Sequence, residues 1–534
     1  MNDPDLLISN LGLGVNRVSL RSDDRDFPGL NRAVQGRISR GPVGGETRYS
    51  ICRTASELAQ AMQQQRGVSL AGLGFLPLLN AKRRFFSQLK TTVYSLSVVV
   101  QSRCVSLSAQ LLEPTLLAEA DLSSLDAFVS AYGDSFVNSI SYGGEFIGVY
   151  TFRSETQEQM QSLELQLEAG GLLVGLGTPL NAGVGLQDAL IKAESSSEIS
   201  VEMNYEVWGA SKPSLRPEDL VNYAVSFTNG AIEQPALLDL TTLGYERIPQ
   251  WSELFQPVAS NRELFTREGG LLWQRIRMEE LMNQINDTRE TLQLYGVALA
   301  DEAELDAAQR QVEADLQLSA GLVDAYTASA STPISVPVFA SLAIGSPRID
   351  ATVAEEPASA VGRWESTIGS PFLFPFSPNT AIQQRVRLTR LALETGRQLD
   401  KLTLHYGTRA GNAVRVEKHG GDRGRPSGDV EFGPGEGVIG LESEFGSHLD
   451  RLLVSTDRGR LGGGGDAGDR QVNWQKAANE VVLGLTGRSD DGDHGAVYML
   501  RAVVARFEGL RWQPSGSREL LDAPSPAAEA GSPG

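Results

Sequence analysis

From about residue 363 to 512 the chain is written in short apolar alternations separated by glycine-rich turns, the pattern of an all-β unit. The stretch before it, ATVAEEPASAVG at 351–362, is low in complexity and reads as a linker. Beyond Trp512 the sequence turns to Pro, Ser, Ala, Gly and Glu, which cannot bury a core, so disorder is expected over 513–534. The 350 residues before the linker mix helical and strand periods. The chain therefore reads as α+β with folded units at 1–350 and 363–512, and its 534 residues suit two or three cores.

Within the first unit, Thr91 to Leu112 alternates or runs apolar with many β-branched residues and predicts a long strand or a bent strand pair. A helix is expected next, from Pro114 through Leu116, Leu117, Leu122, Leu125, Phe128 and Val129, followed by a strand over Phe136–Phe152 and another over Ile199–Trp208. Residues 54–65 look helical, with Ser56 as the N-cap. Pro213 to Gln250 reads as a mixed connection. Two amphipathic helices, Leu271–Leu294 and Glu302–Tyr326, then form a hairpin turning near Tyr295–Gly296; Trp273, Ile276, Leu281 and Ile285 mark the apolar face of the first.

Composition excludes several functions. A formal net charge of −19 argues against a nucleic-acid partner and against electrostatic adhesion to anionic lipid. All four histidines lie beyond residue 400, so the first 400 residues contain no Ser–His triad, Cys–His dyad or histidine zinc site. Neither an acid/base pair, a nucleophile elbow nor a phosphate loop stands out, and no enzyme, cofactor or metal is expected. Spacing establishes no bridge between Cys52 and Cys104, and free thiols are the reading. No basic stretch precedes an apolar run near Met1, so no cleavable signal peptide is expected and release would follow a non-classical route. No run of about 18 apolar residues occurs, so any membrane crossing would use strands.

The segment Tyr132–Gly144, YGDSFVNSISYGG, carries an aromatic–Gly pair (Tyr132, Gly133), two polar residues, Phe136, six residues and then Gly143–Gly144. It resembles the signature of the membrane-attack-complex/perforin (MACPF) family, which usually has Thr–His where this chain has Asp134–Ser135. The resemblance implies a bent antiparallel central sheet like that of MACPF proteins and cholesterol-dependent cytolysins, flanked by helical clusters. Glycines inside a strand mark a bend or a close backbone approach. In that family the Gly–Gly pair lies at the bend of a sheet that opens as the pore forms. Two clusters refold there into membrane-spanning hairpins, for which Thr54–Lys90 and Thr156–Glu198 are the candidates here. Both carry a Gly-punctuated echo, Gly72–Leu73–Gly74–Phe75 with Pro77 and Asn80, and Gly175–Leu176–Gly177 with Pro179 and Asn181; Leu172, Leu173 and Val174 precede the second. Leu163, Leu165 and Leu167 alternate with Glu164, Gln166 and Glu168, as a lipid-facing and lumen-facing strand requires, although the composition also tolerates helix.

The second unit resembles the jacalin-related lectins, which fold as a three-sided β-prism. The resemblance rests on GRQLDKLTLHYG at 396–407, His419–Gly420–Gly421, GPGEGVIGLESEFGSHLD at 433–450, TDRGRLG at 456–462, and a repeated Leu-Asp-x-Leu at Leu399 and Leu449. Sugar sites in that family use backbone N–H groups of a Gly-rich loop and an Asp ending a late loop. His419, Gly420, Gly421, Asp490, Asp491 and Arg501 are the candidates, with Asp493 near them in sequence; Arg501 falls where the Asp is expected. Together the resemblances imply a soluble, toxin-like monomer similar to bacterial cytolysins. It would dock through the prism on a glycan or other surface receptor of a target membrane. There it would assemble with its own copies into a ring and insert two β-hairpins per subunit. The alternative is a non-lytic adhesion protein that keeps the fold.

Overall fold

The computed structural model describes residues 8–18, 30–52, 95–153, 200–228, 230, 232–267, 269–362, 368–376, 378, 381–382, 385–407, 415–446, 449–464, 470–491 and 495–513, with isolated positions within 57–89 and 162–190. The first unit mixes helix and sheet, and the region beyond it is all-β.

Strands β1 (Gly14–Val15), β2 (Val34–Arg40), β3 (Gly44–Cys52), β4 (Ser95–Leu116), β5 (Ser135–Arg153), β6 (Thr178–Pro179), β7 (Ser200–Trp208) and β8 (Ala236–Gly244) form one sheet. Its spine is the antiparallel pair β4–β5, where the Val98–Val99–Val100 run pairs with Tyr150, Val149 and Gly148. Both spine strands change partner midway. β4 pairs with β3 over Ser97–Val105 and with β2 from Ala109 onward. β5 pairs with β8 up to Gly143 and with β7 from Glu145. A register shift between Val105 and Leu107 falls at the same level, so the sheet divides into two halves there.

The two halves are covered differently. On the β3–β4–β5–β7 half, one face packs Val98, Val100, Phe146 and Tyr150 against helix α2 (Leu220–Phe227) and Leu163, Leu167 and Leu190. The opposite face packs Val99, Ile147 and Val149 against Leu58, Ala61, Phe85 and Leu89. The stretches 53–94 and 154–199 thus contribute to opposite faces. α1 (Leu125–Tyr132) precedes β5 in the chain. α3 (Ser252–Thr266), α4 (Leu271–Tyr295) and α5 (Glu302–Ala328) follow β8 and share one core with the other half of the sheet. The α4–α5 hairpin falls where expected, turning at Gly296 (φ 64°), whose N–H bonds Gln293 O at 3.1 Å.

Several expectations are corrected. No helix starts at Pro114: β4 runs on to Leu116, and the ladder to β2 skips Glu113–Pro114 as a bulge, which spares the missing proline N–H. The helix begins at Leu125, after the Ser124 hydroxyl accepts the Ala127 N–H at 3.4 Å. Trp273 and Ile276 are only half-buried; Leu272, Met278, Leu281 and Ile285 form the inner face of α4. Residues 351–362 are not a linker but structured chain. They hold the end of β9 (Ser346–Glu355), a 3-10 turn and β10 (Val361–Gly362), and Ser359 Oγ accepts the Ala502 N–H at 2.8 Å. The expected tail lies outside the described residues except Gln513, which is still strand.

The all-β region adds β11 (Ser370–Phe372), β12 (Arg387–Thr395), β13 (Leu399–Gly407), β14 (Arg415–Gly420), β15 (Arg425–Glu431), β16 (Val438–Phe445), β17 (Leu449–Thr456), β18 (Gly459–Gly464), β19 (Arg470–Gln475), β20 (Glu480–Ser489) and β21 (Val497–Gln513). Three sheets result, in orders 14-13-12-15, 18-17-16-19 and 10-21-20-11, with β9 extending β21; each sheet touches both others around a shared apolar core. Hairpins 12–13, 16–17 and 20–21 each carry two bulges at matching places, after Leu388, Val438 and Val482 and again before Thr395, Phe445 and Ser489. The two Leu-Asp-x-Leu motifs open β13 and β17, the equivalent strands of two such hairpins.

The two units join through the α4–α5 turn. Tyr295 Oη donates to Val386 O at 2.9 Å, Gly435 N–H to Leu294 O at 2.8 Å, and Trp512 Nε1–H to Glu304 at 2.8 Å. Tyr295 also packs against Phe507, with ring centroids 5.5 Å apart.

Candidate functional site

Two places in the molecule concentrate function-bearing geometry, and the first is the end of the all-β region where the β12–β13 and β20–β21 turns meet β14. Gly420 (φ 95°) closes β14 so tightly that a Cβ would lie 2.0 Å from Asp400 O. The Gly421 N–H donates to that same carbonyl at 2.9 Å. The Gly420 N–H donates to Asp491 Oδ1 at 2.8 Å, and Ser489 Oγ donates to it at 2.7 Å. Four of the residues singled out in the sequence, His419, Gly420, Gly421 and Asp491, therefore do converge. Asp490 continues the same turn, its N–H bonded to Ala496 O at 3.0 Å.

Arg501 is not part of this site. It lies within β21 opposite Thr486, and its guanidinium pairs with Glu355 at 2.8 Å. The carboxylate that approaches the glycine loop is Asp491, on the turn before β21. Asp493 lies outside the described residues.

Sequence reading missed Asp400 as a site residue. Its side chain is buried, facing glycines 396 and 424, and burial pushes its carboxyl above the usual range despite the Gly396 N–H. Gly followed by Asp four residues later spans the turns of two equivalent hairpins at 396/400 and 446/450, and recurs at 487/491 with Gly487 inside β20 and Asp491 in the turn that follows it. The His419 ring stacks on Phe372 with centroids 3.7 Å apart and planes 11° from parallel. Burial lowers its pKa against the opposing pull of Glu417 and Asp491. Chemically the place offers carboxylate acceptors beside side-chain-free backbone, which suits hydroxyl-rich ligands.

The second place is the division of the large sheet. Gly143 and Gly144 sit where β5 changes partner. A Cβ on Gly143 would lie 1.9 Å from Cys104 O, backbone that cannot give way, whereas one on Gly144 would lie 2.4 Å from Ile232 Cδ1, the movable tip of a side chain, so Gly143 is the position that excludes larger residues. The next residue, Glu145, is fully buried, accepts a hydrogen bond from Gln101 Nε2, and faces Arg103 at 3.8 Å.

At the other end of the motif, Tyr132, Gly133 and Phe136 form a corner with Phe128, Tyr245 and Phe255. Gly133 (φ 78°) caps α1, and a Cβ there would meet Val15 O at 2.3 Å. Asp134 is a buried hub. Its carboxylate accepts from the Arg17 N–H at 3.1 Å, Ser135 Oγ at 2.8 Å and Tyr326 Oη at 3.0 Å, while Arg262 donates to its carbonyl at 2.7 Å.

The stretches 53–94 and 154–199 both leave the sheet at one end. Cys52 is opposite Ser97, Ser95 opposite Arg153, and Arg153 opposite Ser200, so the four strand ends are level. Gly72, Leu73, Gly74, Phe75, Leu172, Leu173 and Val174, and Ser56, lie outside the described residues. Leu163, Leu165 and Leu167 correct the strand alternation: they are helical, with Leu163 and Leu167 buried and Leu165 64% exposed. A spacing of four, not two, selects the buried pair. Both cysteines are free, Cys52 buried and Cys104 half-buried.

Residues 375–494 form a jacalin-like lectin domain, matching that family's description. Among solved structures, Malaysian banana lectin is 17% identical, covering 29% of this chain and 98% of its own, with a TM-score of 0.22. AcmJRL, a mannose-binding jacalin-related lectin from Ananas comosus, is 18% identical over 27% of this chain and 95% of its own, TM-score 0.22. Calystegia sepium agglutinin is 17% identical over 28% and 96%, TM-score 0.22. No curated protein matches the chain.

Proposed function

We propose that this chain is a MACPF-like pore-forming protein that docks on a membrane surface through its jacalin-like domain, assembles with its own copies, and inserts two β-hairpins per copy. The observation that carries the reading is the arrangement of the four level strands β3, β4, β5 and β7. Two stretches of over forty residues each leave and re-enter between consecutive pairs of them at the same end. Extending those strands would continue the sheet as two adjacent hairpins without breaking a rung. Each stretch exceeds the two runs of about 9–11 residues that a hairpin needs to cross a bilayer. The Gly143–Gly144 division supports the same reading, since the sheet must straighten there.

Docking is assigned to the glycan-type site around Gly420, Asp491 and Asp400. The α4–α5 turn holds the opposite end of β12: Val386 meets Tyr295, and nine residues of strand then lead to the Gly396 turn. At about 3.3 Å per residue the site stands roughly 30 Å along β12 from that joint.

Dye release from vesicles, combined with electron microscopy of the treated membranes, tests the proposal. Leakage with ring-shaped assemblies is expected. Glycan-array binding with neither leakage nor rings would replace the pore with a purely adhesive role.

A further inference from the structure

The carboxylate that approaches the glycine loop of the lectin domain is held by two bonds, Asp491 Oδ1 accepting from the Gly420 N–H at 2.8 Å and from Ser489 Oγ at 2.7 Å. His419 stands at the junction of these pieces. It is 9% exposed, and its ring lies flat on Phe372 of β11. β11 pairs with β20, where Ser370 is opposite Ser489, the residue that bonds Asp491. In the other sheet His419 is opposite Leu402, next to the Lys401–Gly420 pair. One imidazole thus bridges two of the three sheets where the glycine loop meets the acidic turn.

Its polar edge is incomplete. Nε2 is buried and has no hydrogen-bond partner among the described residues, and Glu417 Oε2 stands 3.6 Å away, too far for a hydrogen bond. A neutral ring tolerates that spacing. A protonated ring donates from both nitrogens and needs an acceptor if it is to stay buried. Two carboxylates act on it, Glu417 from its own strand and Asp491 from the facing turn. Both are already engaged, Glu417 with the Arg415 guanidinium at 3.0 Å and Asp491 with Gly420 and Ser489. The other charged groups nearby are committed elsewhere. Lys418 alternates to the exposed face of β14, Lys401 pairs with Asp422, and Asp400 faces glycines 396 and 424. Arg488 donates to the Ile368 and Gly369 carbonyls, the Asp490 N–H bonds Ala496 O, and β11 brings no charge.

We propose that His419 is a pH-sensitive positioning residue of the glycan site: neutral, it leaves Asp491 to the Gly420 loop and to ligand hydroxyls; protonated, it draws Glu417 and Asp491 to itself, frees the Gly420 N–H and releases the ligand. The inference rests on the docking reading for the ligand and adds the control of that site. Burial keeps the ring neutral to below its ordinary value of about 6.5, so the site is intact at neutral pH and fails on the acid side.

The test reads the full chain on a printed glycan array and then follows the best-retained glycan by titration calorimetry between about pH 7.5 and 5.0, where the wild type loses about fivefold or more in affinity. His419→Phe keeps a ring on Phe372, binds at neutral pH and loses less than about twofold over the same range. Glu417→Gln removes a carboxylate that favours the charged ring and moves the loss to lower pH. His405→Gln and His494→Gln leave the loss where it was. A loss that persists in His419→Phe, or that disappears with His405→Gln or His494→Gln alone, overturns the inference. Should His419→Phe not fold, Glu417→Gln decides, and an unmoved midpoint overturns it. Hydrogen exchange at the Gly420 amide, corrected for the intrinsic rate, reports on the loop without any ligand: acid lowers its protection in the wild type and not in His419→Phe. Undiminished protection in the wild type overturns the role of His419. An amide that opens in a chain retaining no glycan at either pH leaves that role standing and removes glycan docking.

Discussion

Asp134 departs from the motif it sits in, and its surroundings explain what the departure does. One carboxylate ties the Arg17 backbone, Ser135 and Tyr326 of α5 to the start of β5, with Arg262 and its 2.6 Å partner Glu246 packed alongside. Asp134→Ala would leave the Arg17 N–H and the Ser135 and Tyr326 hydroxyls without that acceptor and remove the carboxylate charge beside Arg262, costing about 3–5 kcal/mol in urea unfolding. Tyr326→Phe removes one hydrogen bond and should cost about 0.5–1.5 kcal/mol. At the lectin-domain end the relevant residue is His419, packed on Phe372 and facing Glu417 and Asp491. Burial holds its pKa below the ordinary value of about 6.5, so the unfolded chain takes up the proton first as pH falls. The stability owed to the neutral ring is complete above about 6.5 and is lost between there and the lower folded value. Thermal unfolding followed across this range should show His419→Phe losing part of the acid sensitivity, and His405, whose pKa burial also lowers, contributes in the same direction.

Leu163, Leu165 and Leu167 separate two accounts of their element. As a helix over the sheet, Leu163→Ala and Leu167→Ala should each cost about 2–5 kcal/mol. Leu165→Ala should stay within about 0.5 kcal/mol, and equal effects at all three would restore the strand reading. Gly143→Ala should cost at least about 1–3 kcal/mol, because its Cβ would meet the Cys104 carbonyl and not a side chain able to move. The elements readable from sequence were those whose pattern is local. β5, β7 and the α4–α5 hairpin show their period within one window, and the Gly420–Gly421 pair announced its turn. What failed depended on distant partners. Pro114 reads as a helix start until β2 is known to accept a bulge there, and 351–362 reads as a linker until β21, some 150 residues later, pairs with it. Asp400 was hidden by being read as half of a strand motif instead of the end of a Gly-to-Asp turn.

The lectin domain is fastened to the helices by Tyr295, Gly435, Trp512 and the Arg385 guanidinium, which pairs with Asp287 at 3.1 Å. A core shared across that joint predicts a single calorimetric transition for the whole chain. Tyr295→Ala with Phe507→Ala should split it into two, and an unsplit trace would mean that the joint lies elsewhere. β21 is the strand on which this architecture closes. It pairs with β9, β10 and β20, packs Phe507 on Tyr295, and comes last in the described chain. During synthesis, residues 346–362 must therefore wait for residues 497–513 to leave the ribosome before their sheet exists. Until then the face of the α4–α5 hairpin that packs on β9 and on Phe507 lacks that neighbour, while its other face rests on the first unit. A nascent chain held short of β21 therefore lacks the strand that joins β9 and β10 to β20, together with the Tyr295–Phe507 and Trp512–Glu304 contacts of the joint.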